Sequence, residues 1–213
     1  MAKRVTDGSL LTTNERSRIK QIGEPIALLL GRIGFSPDAL TLVGFGIVLV
    51  AAVQVAVGNW AIAAAVLIAG TLFDGLDGTL ARATNRVTPF GAFFDSSLDR
   101  AAEAAIYAGV VYSAAVIGDT RIATAAALAL GIGSLVSYVR ARGEGLGVSA
   151  HGGIAQRAER AVLLILGLLV AGLTAETSYL LYALVIIVAL SGITVVQRMN
   201  VVRAALATTG RRA

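Results

Sequence analysis

The chain has 213 residues, 56% of them hydrophobic and 15% charged, with a formal net charge of +5 and a mean hydropathy of +0.79. Soluble domains are about a quarter charged, so this composition excludes an ordinary soluble enzyme and predicts an all-α integral membrane protein. There is no cysteine, which excludes disulfides, thiolate catalysis and cysteine-bound metals.

The N-terminal stretch is polar and charged, without the short apolar core of a cleaved signal peptide. Residues 14–33 mix charges with apolar side chains and include Pro25, the pattern of an amphipathic helix lying in the membrane interface. Ser36-Pro37-Asp38 reads as a helix start, with Ser as N-cap, Pro in the first turn and Asp at the positive helix end. A first span over 38–57 follows, then a Gly58-Asn59 turn, and Trp60 stands where an interfacial anchor is expected. A second span covers 60–83, and residues 84–90 form a polar loop containing Pro89. A third span over 91–117, a turn at 118–120 and a fourth span over 121–140 come next. A Gly-rich polar loop, "RARGEGLGVSAHGGIAQRAER", leads to a fifth span over 161–173, with an earlier start as the alternative. A sixth covers 179–196, and a basic tail ends the chain. With six spans, both termini and the 2–3 and 4–5 loops share one face. Seventeen of the eighteen Lys and Arg residues fall on that face, and only Arg121 falls on the other. The positive-inside rule makes it cytoplasmic, in a multi-pass protein of the cell membrane.

Four aspartates interrupt this apolar pattern. Asp74 and Asp77 are three apart on the second span, and Asp95 and Asp99 are four apart on the third, so each pair shares one helix face. The short loop folds the third span back beside the second and lets the acidic faces meet. Asp74 lies fourteen residues from Trp60, roughly 21 Å at the helical rise, which puts the cluster in the cytoplasmic part of the bundle. One aspartate deep in a membrane helix costs about 2.5–3.5 kcal/mol, and four near one another also repel. One compensation is an ion-pair network with Arg82, Arg86 and Arg100. The other is a divalent metal: oxygen donors with no Cys select a hard cation such as Mg²⁺ or Mn²⁺, and two positions suit a pair of ions. The lone His151 reads as a solvated or supporting loop residue. Gly78, Ala81 and Gly91 leave room for a ligand beside the carboxylates, although each alone is also ordinary helix packing.

The full string is Asp74-x2-Asp77-Gly78-x2-Ala81-Arg82-x8-Gly91-x3-Asp95-x3-Asp99. It resembles the signature of the CDP-alcohol phosphotransferases at all eight defining positions, and the likeness extends over nearly the whole chain. The resemblance implies a 38–203 catalytic domain of six membrane helices, preceded by residues 1–37 with the interfacial helix and followed by a 204–213 cytoplasmic tail. It implies transfer of a phosphatidyl-type group from a CDP-linked lipid to an alcohol, with release of CMP, at a cytoplasmic site. By match to the family, Asp74, Asp77 and Asp95 hold metal. Asp99 takes the proton of the attacking hydroxyl and joins the metal ligands. Gly78, Ala81, Arg82 and Thr88 contact the CDP end, with Asp38, Ala39, Leu40 and Thr41 at the start of the first span. A homodimer is also implied, and no nucleic-acid partner.

The 4–5 loop bears on the acceptor. It brings Arg140, Arg142, Arg157 and Arg160 to the face of the aspartates, and Arg198 ends the sixth span on the same side; Arg140, Arg157 and Arg198 are the candidates to hold an acceptor phosphate. Guanidinium forks suit phosphate. These segments resemble the bacterial phosphatidylinositol phosphate synthases within the family, which join inositol phosphate to CDP-diacylglycerol. Two positions depart from that subgroup: Arg140 stands where lysine is usual and Ala158 where proline is usual. A glycerol phosphate acceptor, as in a phosphatidylglycerophosphate synthase, and an ether-lipid donor, as in an archaetidylinositol phosphate synthase, are the alternatives. A divalent-cation transporter is the rival of another class, since intramembrane carboxylates also mark ion paths. The outer halves of the spans carry almost no ionisable residues for such a path.

Overall fold

The computed structural model of the chain describes residues 24–209, which form seven α-helices and no strand. The first, α1, spans residues 24–32. It is followed by α2 (Pro37–Ala56), α3 (Trp60–Ala83), α4 (Pro89–Val116), α5 (Thr120–Glu144), α6 (Arg157–Thr174) and α7 (Ser178–Thr209). Of the predicted interfacial helix, residues 14–23 lie outside the described residues. The described part buries Ala27 and packs Leu30 against Leu40 and Leu80, while Ile26 and Leu29 stay exposed.

The helix starts follow from local chemistry. Ser36 caps α2, its Oγ accepting from the Ala39 N–H at 3.1 Å with Pro37 in the first turn. Thr88 caps α4 likewise, its Oγ1 accepting from the Gly91 N–H at 2.9 Å, so α4 opens at Pro89 and not at Gly91. Asp119 caps α5 and pairs with Arg121 at 3.0 Å. Three helices outrun their predicted spans. α5 continues through the arginines to Glu144, α6 begins at Arg157, and α7 runs on to Thr209. The added segments contain strong helix formers, and the extension of α7 contains neither Gly nor Pro.

Among the described residues, four helices are long and apolar enough to cross a membrane: α2, α3, α5 and the Ser178–Ala207 part of α7. α4 carries Asp95, Asp99, Arg100 and Glu103, and α6 opens with Arg157, Glu159 and Arg160. Those charges separate both from the other four.

The helices pack in the pairs α2–α3, α2–α4, α4–α5, α3–α6, α5–α7 and α6–α7. Small residues bring the backbones close: a Cβ on Gly109 of α4 would stand 2.6 Å from the Ala52 carbonyl oxygen of α2. Trp60 does not serve as an interfacial anchor. It is 7% exposed, and its indole N–H donates to Ser113 Oγ at 3.1 Å within the main core. α4 and α6 share no extended packing. Side chains and cavities lie between them.

Candidate active site

Asp74 on α3 and Asp95 and Asp99 on α4 each offer a carboxylate oxygen, and the three oxygens lie within 4.8 Å of one another. The helical spacings in the sequence and the short 84–88 connection produce this convergence. An all-oxygen donor set of this size fits a hard divalent cation. Asp77 lies outside that trio. Its Oδ2 accepts from Thr41 Oγ1 at 2.6 Å, and its Oδ1 accepts from the Gly78 N–H. Thr41 therefore ties the second turn of α2 to the acidic face of α3.

On one side of the carboxylates is a cavity of about 270 Å³. Asp38 and Thr41 of α2, Gly78, Ala81 and Arg82 of α3, and Thr88 line it. Glycine at 78 leaves the space that Arg82 occupies, since a Cβ there would meet Arg82 Nη1 at 3.2 Å. Gly91 similarly admits Asp38 and Thr88, whose oxygens would stand 3.5 and 3.1 Å from an added Cβ. Two of the predicted residues do not line this cavity. Leu40 is wholly buried against Leu80, and the Ala39 N–H serves the Ser36 cap.

On the other side is a larger cavity of about 1140 Å³, bounded by Asp95 and Asp99 and by Arg140, Arg157 and Arg198. The three predicted arginines thus meet in one place, with different partners. Arg140 pairs with Glu144 at 2.9 Å, one turn along α5, and His151 approaches the same carboxylate at 3.5 Å. Arg157 bridges Asp74 at 2.8 Å and Asp99 at 2.7 Å. Arg198, 4% exposed, donates to the Gly152 carbonyl at 2.8 Å and the Val136 carbonyl at 2.7 Å, and has no carboxylate partner among the described residues.

Glu103 was not singled out from the sequence, and Arg160 was named only as one of the loop arginines on this face. Glu103 Oε1 accepts from Arg160 Nη2 at 2.6 Å. Glu103 Oε2 accepts no hydrogen bond among the described residues, yet lies 3.1 Å from Arg100 Nη1, which also donates to Ser137. Glu103 sits one turn after Asp99 and Arg160 one turn after Arg157. That repeat of acid and base on two helix faces was the available signal. Beneath this pair a mostly apolar cavity of about 350 Å³ runs into the bundle past Tyr107 and Leu164.

The family model for CDP-alcohol phosphatidyltransferases matches residues 35–209, and so takes in every described residue of both cavities. The chain belongs to the CDP-alcohol phosphatidyltransferase family. It is a CDP-alcohol phosphotransferase, a membrane-embedded transferase of phospholipid synthesis, and this replaces the transporter reading. It is 39% identical over 184 residues to the archaetidylinositol phosphate synthase of Methanothermobacter thermautotrophicus, covering 86% of this chain and 90% of the relative. It is 36% identical over 192 residues to the phosphatidylinositol phosphate synthase of Mycobacteroides abscessus, covering 88% and 86%. The crystal structure of Mycobacterium tuberculosis phosphatidylinositol phosphate synthase with CDP-DAG bound superposes with a TM-score of 0.81 at 31% identity, over 85% of this chain and 94% of that one. The same enzyme with manganese and citrate gives 0.80 at 30% identity, over 84% and 88%.

Proposed function

We propose that this phosphotransferase moves the phosphatidyl group of CDP-diacylglycerol to the hydroxyl of inositol 1-phosphate, giving phosphatidylinositol phosphate and CMP. The observation that carries the phosphorylated acceptor is Arg198. A buried cation bonded, among the described residues, only to backbone carbonyls leaves a positive charge in the wall of the larger cavity. Such a charge is costly without a counter-ion, and an acceptor phosphate supplies one. Arg140 and Arg157 face the same space, whereas an uncharged acceptor has no use for three guanidinium groups. The named relatives include both diacylglycerol-type and archaetidyl-type inositol phosphate synthases, which supports the inositol phosphate acceptor and keeps an ether-lipid donor as the second reading.

In this reading the 270 Å³ cavity takes the CDP end of the donor. Asp38 to Thr41, Gly78, Ala81, Arg82 and Thr88 form that region, with Leu40 and Ala39 acting through the fold of the α2 start. Asp74, Asp77, Asp95 and Asp99 hold Mg²⁺ or Mn²⁺, in two positions. The metal, when bound, polarises the pyrophosphate and offsets charge on the departing CMP. Asp99 takes the proton of the acceptor hydroxyl as that oxygen bonds to the lipid-bearing phosphorus and the bond from phosphorus to CMP breaks. The catalytic domain is 38–203, with six membrane helices counting α4 and α6, both termini and the site cytoplasmic, and two copies in a homodimer.

The deciding experiment is an acceptor panel with radiolabelled CDP-diacylglycerol: inositol 1-phosphate, free inositol, glycerol 3-phosphate and serine. Inositol 1-phosphate is expected to give the lipid product and CMP, with Mg²⁺ or Mn²⁺ required and EDTA abolishing turnover. Preference for free inositol or serine overturns the phosphorylated acceptor, preference for glycerol 3-phosphate overturns inositol, and full activity in excess EDTA overturns the metal.

A further inference from the structure

Arg157 belongs to two sites at once. Its two terminal nitrogens hold Asp74 Oδ2 at 2.8 Å and Asp99 Oδ1 at 2.7 Å, so one guanidinium clamps carboxylates from α3 and α4. These are two of the three carboxylates that converge as a cation site. The same side chain is 41% exposed and lines the large cavity that Arg198 also lines.

One turn along α6, Arg160 makes the contrasting case. It is 2% exposed, holds Glu103 Oε1 at 2.6 Å and donates to the Ala155 carbonyl at 3.3 Å. Two ion-pair rungs therefore join α6 to α4, Arg157 to Asp99 and Arg160 to Glu103. The deeper rung, 2% and 12% exposed, borders the cavities with little accessible surface and fixes the helix. The outer rung opens on the cavity, with the Arg157 side chain 41% exposed.

We propose that Arg157 is an exchangeable internal cation, competing with the divalent ion for Asp74 and Asp99 and drawn off them by the acceptor phosphate. This rests on the metal and acceptor assignments of the proposed function. A guanidinium hydrogen-bonded to two carboxylates lowers their capacity for a second cation, and like charges held within about 4–6 Å oppose each other. A phosphate in the cavity offers the same fork an equivalent pair of acceptors. Metal and acceptor then favour each other's binding, and by linkage the effect is reciprocal. The exchange also releases Asp99 Oδ1 to receive the hydroxyl proton when both are in place.

The test reads metal binding without turnover. Full-length protein in detergent is titrated with Mn²⁺, with free Mn²⁺ followed by electron paramagnetic resonance, for wild type, Arg157→Gln and the remote control Arg121→Ala. Arg157→Gln is expected to bind Mn²⁺ about tenfold or more tightly than wild type, the scale on which a neighbouring charge shifts a carboxylate's affinity for a cation. Arg121→Ala should match wild type. Inositol 1-phosphate should tighten Mn²⁺ binding in wild type and leave it unaltered in Arg157→Gln. A folded Arg157→Gln that binds Mn²⁺ no more tightly than wild type, or that shows the same inositol 1-phosphate effect, overturns the exchange while leaving the metal site intact. Should thermal melting show Arg157→Gln to be unfolded, Arg157→Lys takes its place. It lacks the fork, so a smaller gain is expected, and unchanged or weaker Mn²⁺ binding overturns the exchange. Wild type that binds no Mn²⁺ overturns the metal assignment and the exchange with it.

Discussion

An amide at position 99 keeps the size of the side chain and loses its basicity. Asp99→Asn is therefore expected to leave CDP-lipid binding near wild type and to lower kcat by about 10²–10⁴-fold, the range for a lost general base. Steady-state kinetics with a donor-binding assay checks it, and near-full turnover would remove Asp99 from that role. The acceptor arginines should separate in a second measurement. Arg140→Ala and Arg198→Ala are both expected to raise the KM for inositol 1-phosphate, since each loses a charge-assisted contact worth roughly 1.5–3 kcal/mol. Only Arg198→Ala should also lower the melting temperature, because the Val136 and Gly152 carbonyls lose their buried donor. Equal melting temperatures for the two variants would contradict that structural part. At this scale the convergence of Asp74, Asp95 and Asp99 was legible because helical spacing fixes which carboxylates share a face, whereas the engagement of Asp77 by Thr41 was not. The clamp of Arg157 on Asp74 and Asp99 was not. With the fifth span set to begin at residue 161, Arg157 and Arg160 fell in a loop and had no helical phase to align with Asp99 and Glu103.

Helix positions were legible to within a few residues wherever a capping residue or a glycine turn marked the end, as at Ser36, Gly58 and Gly118. They failed where hydropathy faded without a breaker, as along α7 from Val196 to Thr209. Charge marks the edge of the apolar slab and not the end of the helix, so α5, α6 and α7 carry their arginines on continuous helical backbone. Packing between elements was less legible still. Nothing in the sequence distinguishes Gly109, against which α2 closes, from Gly46, which has nothing within 4 Å of an added Cβ. Gly109→Ala is expected to destabilise the protein by about 1–3 kcal/mol through overpacking against the Ala52 carbonyl. Gly46→Ala should be neutral or slightly stabilising. Thermal unfolding in detergent compares them, and equal melting temperatures would mean that the α2–α4 contact yields readily.

Across the whole molecule, the proposed orientation rests on charge, and the folded bundle sets the route of the chain. The proposed six crossings put Thr120 outside and Ser149 inside. Because the chain has no cysteine, single replacements at these exposed positions report topology without background. Thr120→Cys is expected to react with an impermeant maleimide in intact cells, and Ser149→Cys only after permeabilisation. Labelling of both from outside would overturn the orientation. The inward turn of Trp60 carries one more consequence. It is the chain's single tryptophan, enclosed and bonded to Ser113, at the end of α3 roughly 21 Å along the helix from Asp74. All tryptophan fluorescence therefore arises from one dry place remote from both substrates. Its emission should be blue-shifted, hold its wavelength while nucleotide, metal and acceptor come and go, and move to the red only when α3 and α4 part, giving a built-in optical gauge of folding that is blind to the chemistry.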